Sequence, residues 1–453
     1  MEREVTLMEM LEAREARVQQ QDALRERYGS VVISFSLNIA GPVKDSPLIR
    51  RAFQTGLEQL EAGLRAAKLS VLDHLEQQAA TGCESLYAVE GTAQEIKTVC
   101  VSIEDGSQLG RLFDMDVLDA GGRKLDREEV GGGPRNCIVC GAPGKGCASR
   151  RTHTVEELQA ATRRILEEHF AAADREKAAA LVTCALLDEV CTTPKPGLVD
   201  RANNGSHRDM DIFTFTASAA ALAPYWGRCV RIGQETAKRA PSDTFTALKQ
   251  AGQEAERTMF AATGGVNTHK GAIFTLGTIC GAVGRLWTAD NPCRNPERIL
   301  MECAAMASAA VKAGFASIDA EHARTAGQRL YLEQGITGVR GEAVQGFPGV
   351  SETALPALRR ALAAGRSCND AGAAALLHLI ALGADTNMIS RGGLAQAQSA
   401  AERCRALLMR NPLPERKQIA EIDEEFIQKN LSPGGCADLL AAAFFLLRWE
   451  EAI

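Results

Sequence analysis

Residues 154–173 have the sequence TVEELQAATRRILEEHFAAA, and this stretch separates two parts of the chain that differ in character. It predicts a helix, because Thr154 can cap the first turn and Glu157 follows three positions later, the spacing of a capping box. Before it, alternating and helical apolar patterns are mixed; after about Asp174, almost every apolar segment has helical spacing. We therefore predict an α+β domain over residues 1–173 and an all-α helical bundle domain over residues 174–453.

The first domain is predicted to mix helices and strands, as small α+β domains do. The predicted helices are Met8–Tyr28, Ile49–Leu75 and Ala93–Glu104, and the predicted strands are Val31–Leu37, Ser85–Glu90 and Gly110–Leu118. In the second domain, residues 177–188 are predicted to form an apolar helix of their own.

Charge and composition exclude several classes of protein. The 453 residues include 51 Lys+Arg and 57 Asp+Glu, which gives a formal net charge of −6. A protein that coats nucleic acid or an anionic membrane needs a strong basic excess, so neither partner is expected, although a local phosphate pocket is compatible. With 45% hydrophobic and 24% charged residues the chain is typical of globular proteins, and only 5% aromatic residues favours packed helices over a β-sandwich.

Cysteine usage and the length of apolar runs indicate a cytoplasmic protein. Most of the 14 cysteines stand singly in apolar stretches, as reduced buried thiols do. We find no apolar run of the about 18 residues that a membrane span needs, and the polar start Met1–Glu4 does not resemble a signal peptide.

Asp114-Met115-Asp116 lies in the third predicted strand. Because alternate residues of a strand point the same way, the two carboxylates share one face. They repel each other unless a divalent cation lies between them, and such a pair suits Mg²⁺ that also binds a triphosphate, as in nucleotidyl transfer. The alternative is a surface strand with two solvated acids.

Four potential metal ligands follow in the order Cys137-x2-Cys140-x6-Cys147-x5-His153. Three thiolates and an imidazole are a ligand set for Zn²⁺. The alternative is a reduced, cysteine-containing loop whose neighbouring cations bind phosphates.

Three blocks of the first domain together resemble one family, apo-citrate lyase phosphoribosyl-dephospho-CoA transferase, also called holo-citrate lyase synthase. The blocks are Asn38-Ile39-Ala40-Gly41-Pro42-Val43-Lys44, Gly110-Arg111-Leu112-Phe113-Asp114-Met115-Asp116-Val117, and Arg135-Asn136-Cys137-Ile138-Val139-Cys140 through Cys147-x2-Arg150-Arg151-x-His153. The resemblance covers about residues 1–170 and implies a nucleotidyltransferase-like domain. It implies transfer of phosphoribosyl-dephospho-CoA to a serine of the citrate lyase acyl carrier (gamma) subunit, with release of diphosphate.

The same resemblance implies roles for individual residues. Asp114 and Asp116 become catalytic Mg²⁺ ligands. The candidate triphosphate contacts are Lys44, Arg111, Arg135, Arg150 and Arg151.

Residues 189–211 form a loop that is dense in both signs of charge. Its cations and anions are Lys195, Arg201, His207 and Arg208 beside Glu189, Asp200, Asp209 and Asp211. Such a loop is not expected to be mere linker, because loops on a rigid scaffold carry function. As an alternative, Asp211 caps a helix that begins at Ile212.

Further polar clusters stand at the ends of apolar helices. Residues 264–271 include Asn267, His269 and Lys270 and precede an apolar helix, whose exposed N–H groups can bind an anion. The alternative is a capped helix with solvated basic residues. Asp385 with Arg391, and then residues 432–438, repeat the arrangement. These clusters are predicted to converge on one mouth of a helical bundle.

These blocks resemble triphosphoribosyl-dephospho-CoA synthase over about residues 175–453. The matching motifs are Thr193-Pro194-Lys195-Pro196-Gly197-Leu198-Val199-Asp200, Gly205-Ser206-His207-x-Asp209-Met210-Asp211, Gly265-Val266-Asn267-Thr268-His269-Lys270-Gly271 and Asp385-Thr386-Asn387. The family joins ATP to 3′-dephospho-CoA with loss of adenine, which makes the substrate of the first domain. The resemblance therefore implies a fusion of two consecutive steps in citrate lyase maturation.

This chemistry, by analogy with glycoside cleavage, needs negative charge near C1′ of the ribose and cations on the triphosphate. We expect Glu189 or Asp200 near the anomeric centre. Mg²⁺ and phosphate are expected at Asp209, Asp211, Lys195 and Lys270, with Asp385 as a further metal ligand. Arg201, His207, Asn267, His269 and Arg391 are further candidate substrate or phosphate contacts.

Three other interpretations remain open. The same chemistry could serve malonate decarboxylase, which uses a similar prosthetic group. The chain could be a zinc-binding scaffold protein without enzymatic activity. The second domain could be a hydrolase in which water replaces dephospho-CoA as acceptor.

Overall fold

The computed structural model describes residues 3–316 and 326–452. The chain divides into two compact units, one of Met1–Ala173 with Ala289–Asn291 and one of Asp174–Thr288 with Pro292–Ile453. We call them the sheet unit and the helical unit. The described residues are mostly helical, with one small antiparallel sheet in the sheet unit.

The sheet unit is built on four strands in the spatial order β2-β3-β1-β4, and all neighbours are antiparallel. The strands are β1 (Val31–Leu37), β2 (Ser70–Ala79), β3 (Gly82–Glu90) and β4 (Phe113–Leu118). The helices are α1 (Leu7–Tyr28), α2 (Pro47–Ala66), α3 (Ala93–Asp105) and α4 (Gly144–Arg150).

The two faces of this sheet are covered differently. On one face Phe35 of β1 stacks on Phe53 of α2, with ring centroids 4.9 Å apart, and Phe113 packs edge-on against Phe35. On the other face α1 covers only part of the sheet, where Leu24 packs with Val32. On β4 the residues of that second face, Asp114, Asp116 and Leu118, are not fully buried.

The predicted helix Ile49–Leu75 is wrong in its second half. Helix α2 ends at Ala66, the chain turns at Lys68 with a φ of 59°, and β2 begins at Ser70. This edge strand is exposed on both faces. Because neither face is buried, its sequence has no need to alternate apolar and polar residues. The alternating signal by which a strand is recognised is therefore missing.

Helix α5 (Val155–Cys191) is 37 residues long, so the two helices predicted over residues 154–173 and 177–188 are one helix. The division between the two units falls within its sequence. In the described residues that follow, eleven further α-helices are present. They are α6 (Ile212–Thr236), α7 (Pro241–Ala262), α8 (Lys270–Arg285), α9 (Pro296–Ala316), α10 (Ala326–Gln334), α11 (Gly338–Val344), α12 (Leu355–Ala363), α13 (Cys368–Ile380), α14 (Thr386–Arg410), α15 (Arg416–Gln428) and α16 (Gly434–Glu451).

The helical unit has one hydrophobic core, with α8 and α16 at its centre. Both are apolar on nearly every side, the property of a fully buried helix. Among the described residues, only α9 has the length and the apolar composition that crossing a membrane would require. Its buried residues, including Ile299, Cys303 and Met306, recur at helical spacing and belong to the core, as in a helix packed on one face.

Candidate functional site

A polar cavity of about 780 Å³ lies in the helical unit, and we call it the helical cavity. Loops and helix ends that are far apart in the sequence supply its lining. The predicted residues that line it are Glu189, Lys195, His207, Asp209, Asn267, His269, Lys270, Asp385 and Arg391. The structure therefore brings most of the predicted residues of this half together.

A buried ion pair forms one wall of the helical cavity. Lys195 Nζ lies 2.5 Å from Glu189 Oε1, and both side chains are buried. Burial raises the pKa of Glu189, while the charge of Lys195 and its hydrogen bond oppose that shift. A paired carboxylate is thus held inside a cavity that contains further acids.

Three predicted residues do not line this cavity. Asp200 accepts hydrogen bonds from the backbone amides of Lys195 and Ala202, so it shapes the loop. Arg201 donates to the carbonyl of Cys191 on the surface. Asp211 caps α6, which is the alternative role considered for it in the sequence analysis. The hydrogen bond that it accepts from the Thr214 amide lowers its pKa.

His207 and Arg391 meet at the mouth of the helical cavity. His207 Nε2 lies 2.9 Å from Ser432 Oγ, and His207 Nδ1 lies 3.2 Å from Arg391 Nη2. Burial and the charge of Arg391 lower the pKa of His207 to about 4, although Asp209 opposes this. The imidazole is therefore neutral at pH 7 and accepts a hydrogen bond from the guanidinium.

His269 has two ring nitrogens with different surroundings. Thr268 donates to Ser218 Oγ at 2.8 Å, and Ser218 Oγ lies 2.7 Å from His269 Nδ1. A serine hydroxyl that accepts from Thr268 can donate its own proton to Nδ1, and in that tautomer the ring proton of His269 is on Nε2. That Nε2 has no hydrogen-bond partner among the described residues, and burial, with Lys195, lowers the pKa of His269 to about 3.

Asp438 on α16 is a cavity residue that the sequence analysis did not single out. Burial raises its pKa well above the ordinary value, and the nearby Glu189 and Asp385 raise it further, whereas a hydrogen bond from the Ala272 amide opposes them. A Cβ on Gly271 would lie only 1.9 Å from Asp438 Oδ2, so glycine allows this close approach. The available sequence signal was an acid that stands just before the long apolar run Leu439–Leu447.

Asp385 is buried at the start of α14. Its carboxylate accepts hydrogen bonds from the backbone amides of Asn387, Met388 and Cys436. Burial raises its pKa in spite of these bonds. Asp385 therefore ties the start of α14 to the start of α16 at the edge of the cavity. Lys270, another lining residue, pairs with Glu256 at 2.9 Å.

A second cavity of about 870 Å³, the sheet cavity, lies in the sheet unit. Asp114 and Asp116 lie opposite Ser36 and Ser34 of β1, on the face away from the aromatic core. The prediction that they share one face is confirmed. Partial desolvation raises the pKa of Asp114, and the charge of Asp116 raises it further.

Cations surround this carboxylate pair. Arg111, Arg135 and Arg151 line the sheet cavity, and Lys124 Nζ lies 2.6 Å from Asp116 Oδ2. Lys44 donates to the carbonyl of Ile39, and the predicted phosphate contacts Lys44 and Arg150 are not among the lining residues.

Two buried charges that the sequence analysis missed hold β4 in place. Glu104 accepts from the backbone amide of Met115 at 2.9 Å, and Lys97 donates to the carbonyl of Met115 at 3.0 Å. Glu104 also pairs with Arg135 at 2.6 Å. These contacts fix the strand that carries the two aspartates relative to a cavity arginine.

The four cysteine and histidine residues singled out from the sequence come together. The ligand atoms of Cys137, Cys140, Cys147 and His153 all lie within 4.8 Å of one another. Hydrogen bonds from the Ala142 amide, His153 and Cys147 lower the pKa of Cys140 to about 7. Three of the four, all except Cys140, also line the sheet cavity.

Comparisons with known proteins identify both halves. A family model described as apo-citrate lyase phosphoribosyl-dephospho-CoA transferase matches residues 5–169, and one described as ATP:dephospho-CoA triphosphoribosyl transferase matches residues 175–453. Protein CitXG of Haemophilus influenzae is 33% identical and covers 98% of this chain and 97% of its own length. Protein CitXG of Leuconostoc mesenteroides subsp. cremoris is 34% identical with the same coverage. A probable 2-(5''-triphosphoribosyl)-3'-dephosphocoenzyme-A synthase of Vibrio cholerae is 45% identical over 58% of this chain and 84% of that protein.

Proposed function

The chain belongs to the family of CitXG fusion proteins, and from this premise we propose which cavity performs which reaction. The protein is a bifunctional transferase that matures the prosthetic group of citrate lyase. It condenses ATP with 3′-dephospho-CoA, releasing adenine, and transfers the phosphoribosyl-dephospho-CoA moiety to a serine of the apo acyl carrier subunit, releasing diphosphate. We assign the first reaction to residues 174–453 and the second to residues 1–173, in the cytoplasm.

The helical cavity suits the adenine-releasing step. The observation that carries this proposal is that acidic and cationic side chains line the same cavity. Glu189, Asp385 and Asp438 line one cavity together with Lys195, Lys270 and Arg391. The bond between ribose C1′ and adenine N9 breaks through an oxocarbenium-like transition state, which an anionic carboxylate stabilises. Cations that line the same cavity bind the triphosphate, which stays intact.

In this proposal each group has one role. Glu189, held by Lys195, supplies negative charge near C1′. Asp438, whose pKa burial raises, donates a proton to the departing adenine and takes up the proton that the attacking 2′-hydroxyl of dephospho-CoA loses. The neutral Nε2–H of His269 donates to a phosphate oxygen, and Arg391 and Lys270 neutralise phosphate charge.

Mg²⁺ fits the sheet cavity by the chemistry of its donors. Burial is the main cause that raises the pKa of Asp114, and the repulsion from Asp116 that adds to it is what a divalent ion shared by the two carboxylates would relieve. In the helical cavity, the carboxylate of Asp209 is more available as a metal ligand than that of Asp385, because Asp385 already accepts three backbone hydrogen bonds. When bound, Mg²⁺ neutralises triphosphate charge at either place.

The sheet cavity suits the transfer to the carrier. Arg111, Arg135 and Arg151 line the same cavity as the aspartate pair and can hold the phosphates of the intermediate. The serine hydroxyl of the carrier attacks the α-phosphorus and the bond between the α-phosphorus and the β-phosphate oxygen breaks. Diphosphate leaves with the serine proton, and these cations balance its charge.

One incubation tests both assignments. The protein is mixed with ATP, Mg²⁺, dephospho-CoA and the apo carrier subunit of citrate lyase, and adenine and carrier mass are measured. We expect adenine release that requires dephospho-CoA and a carrier heavier by the phosphoribosyl-dephospho-CoA group. Adenine release without dephospho-CoA would indicate that water is the acceptor. If a parallel incubation with the malonate decarboxylase carrier loads that carrier preferentially, the protein serves malonate decarboxylase instead.

A further inference from the structure

The segment of residues 131–153 has no hydrophobic core of its own. Among the side chains that the structure describes there, none is fully buried, and the only helix is the short α4. A segment that buries so little apolar surface needs another source of order, and small folds commonly obtain it from a bound metal.

The four metal-ligand candidates come from three places in this segment. Cys137 and Cys140 stand on a turn, Cys147 lies on α4, and His153 precedes α5. Cys140 Sγ lies 3.5 Å from Cys147 Sγ and 3.3 Å from His153 Nε2. In a tetrahedral site with Zn–S bonds of about 2.3 Å, sulfur atoms are about 3.8 Å apart, so the sulfur spacing is close to what zinc requires.

The surroundings of the cluster also match a zinc site. The Cys137 sulfur accepts from the backbone amide of Val139 at 3.4 Å, and Gly141, with a φ of 73°, lets the chain turn back after Cys140. His153 directs Nε2 toward the thiols and Nδ1 toward Glu157, 3.6 Å away. A carboxylate behind a ligating imidazole fixes the ring and raises its basicity, which is the usual outer shell of zinc histidines.

We propose that Cys137, Cys140, Cys147 and His153 bind one Zn²⁺, and that this ion positions the arginine-bearing wall of the sheet cavity. Binding displaces the thiol protons and closes the turn, α4 and the start of α5 into one unit.

The second part of the proposal rests on the proposed function of the sheet cavity. Arg135 directly precedes the turn, and its carbonyl accepts from the Gly144 amide at 2.8 Å. The carbonyl of Asn136 accepts from Arg111. A zinc ion that fixes Cys137 therefore also fixes Arg135 and Arg111, which line the sheet cavity. Zinc is a structural ion here and takes no part in the transfer itself.

The test measures metal content first. Zinc is quantified by mass spectrometry in the full chain, in Cys140→Ser, and in the matched control Cys184→Ser, whose exposed thiol lies on α5 outside both cavities. We expect about one zinc per chain in the wild type and the control, and loss of most of it in Cys140→Ser. His153→Cys should retain the metal, and the cobalt-substituted wild type should show thiolate-to-cobalt charge-transfer absorption.

Activity is measured second, with the intermediate supplied preformed. Cys140→Ser is chosen because Cys140 does not line the cavity. Its carrier loading should fall at least about tenfold, as outer-shell changes typically do, whereas adenine release stays at the wild-type rate and shows that the chain is folded.

Several results would overturn the proposal. Zinc that is absent from the wild type, or retained in Cys140→Ser, rules out the site, as does a Cys140–Cys147 disulfide in unreduced peptides. Zinc lost from Cys140→Ser with unchanged carrier loading rules out the positioning role. If the wild type loads no carrier at all, the proposed function fails, while the zinc stoichiometry still decides the metal site.

Discussion

His269 is a buried histidine of the helical cavity, and in the tautomer that accepts from Ser218 at Nδ1 its Nε2 is an uncharged N–H donor without a partner among the described residues. We predict that His269→Ala raises KM for ATP about tenfold or more, since a hydrogen bond to a charged group contributes about 1.5–3 kcal/mol. His269→Gln keeps an N–H donor and should recover most of the affinity. Steady-state adenine release measures both; an unchanged KM in His269→Ala would contradict phosphate contact.

The lowered pKa of His269 makes the stability of the helical unit depend on pH. Below its ordinary value of 6.5 the unfolded chain binds a proton that the folded chain, with a pKa of about 3, does not. The contribution of this residue to stability is therefore lost as pH falls from about 6.5 toward 3, by about 1.4 kcal/mol per pH unit.

We expect the stability difference between wild type and His269→Gln to shift against the wild type by about 2 kcal/mol between pH 6.5 and pH 5. Denaturant unfolding followed by tryptophan fluorescence measures it, because all three tryptophans (Trp226, Trp287 and Trp449) belong to the helical unit. His207, whose pKa is also lowered, contributes equally to both proteins. A difference that does not change with pH would mean that His269 is protonated in the folded protein.

At the scale of elements, the close approach of α8 and α16 positions Asp438. We predict that Gly271→Ala, whose methyl group would meet Asp438 Oδ2, displaces the carboxyl and lowers kcat for adenine release about a hundredfold. Gly252→Ala on α7 is the matched control, because its Cβ would meet atoms at 3.5 Å or more. Tryptophan fluorescence should report folded protein for both. Equal rates in the two variants would remove Asp438 from the mechanism.

The sequence predicts a feature well when residues close in the sequence determine it, and poorly when packing between distant segments determines it. Strand β1 was predicted with its observed bounds, Val31–Leu37, and the shared face of Asp114 and Asp116 follows from strand geometry alone. Strand β2 was missed because Val71, Leu72 and Leu75 are all exposed. The role of Asp438 was not predictable, since it depends on packing between helices that are far apart in the sequence.

For the whole molecule, each cavity is lined by residues of one unit alone. The two reactions should therefore be separable by single substitutions. We predict that Asp114→Asn abolishes carrier loading and leaves adenine release unchanged, so that the triphosphoribosyl intermediate accumulates in solution. Asp438→Asn should stop adenine release yet load the carrier when preformed intermediate is added.

The same reasoning predicts complementation between the two variants. The product of the helical cavity is a small soluble molecule, so a mixture of Asp114→Asn and Asp438→Asn should load the carrier from ATP and dephospho-CoA, although neither variant does so alone. Carrier mass measures this directly, and the rate should rise with the concentration of either variant. If the mixture fails while each variant keeps its single activity, the intermediate does not leave the protein that makes it, and the two steps are coupled within one chain.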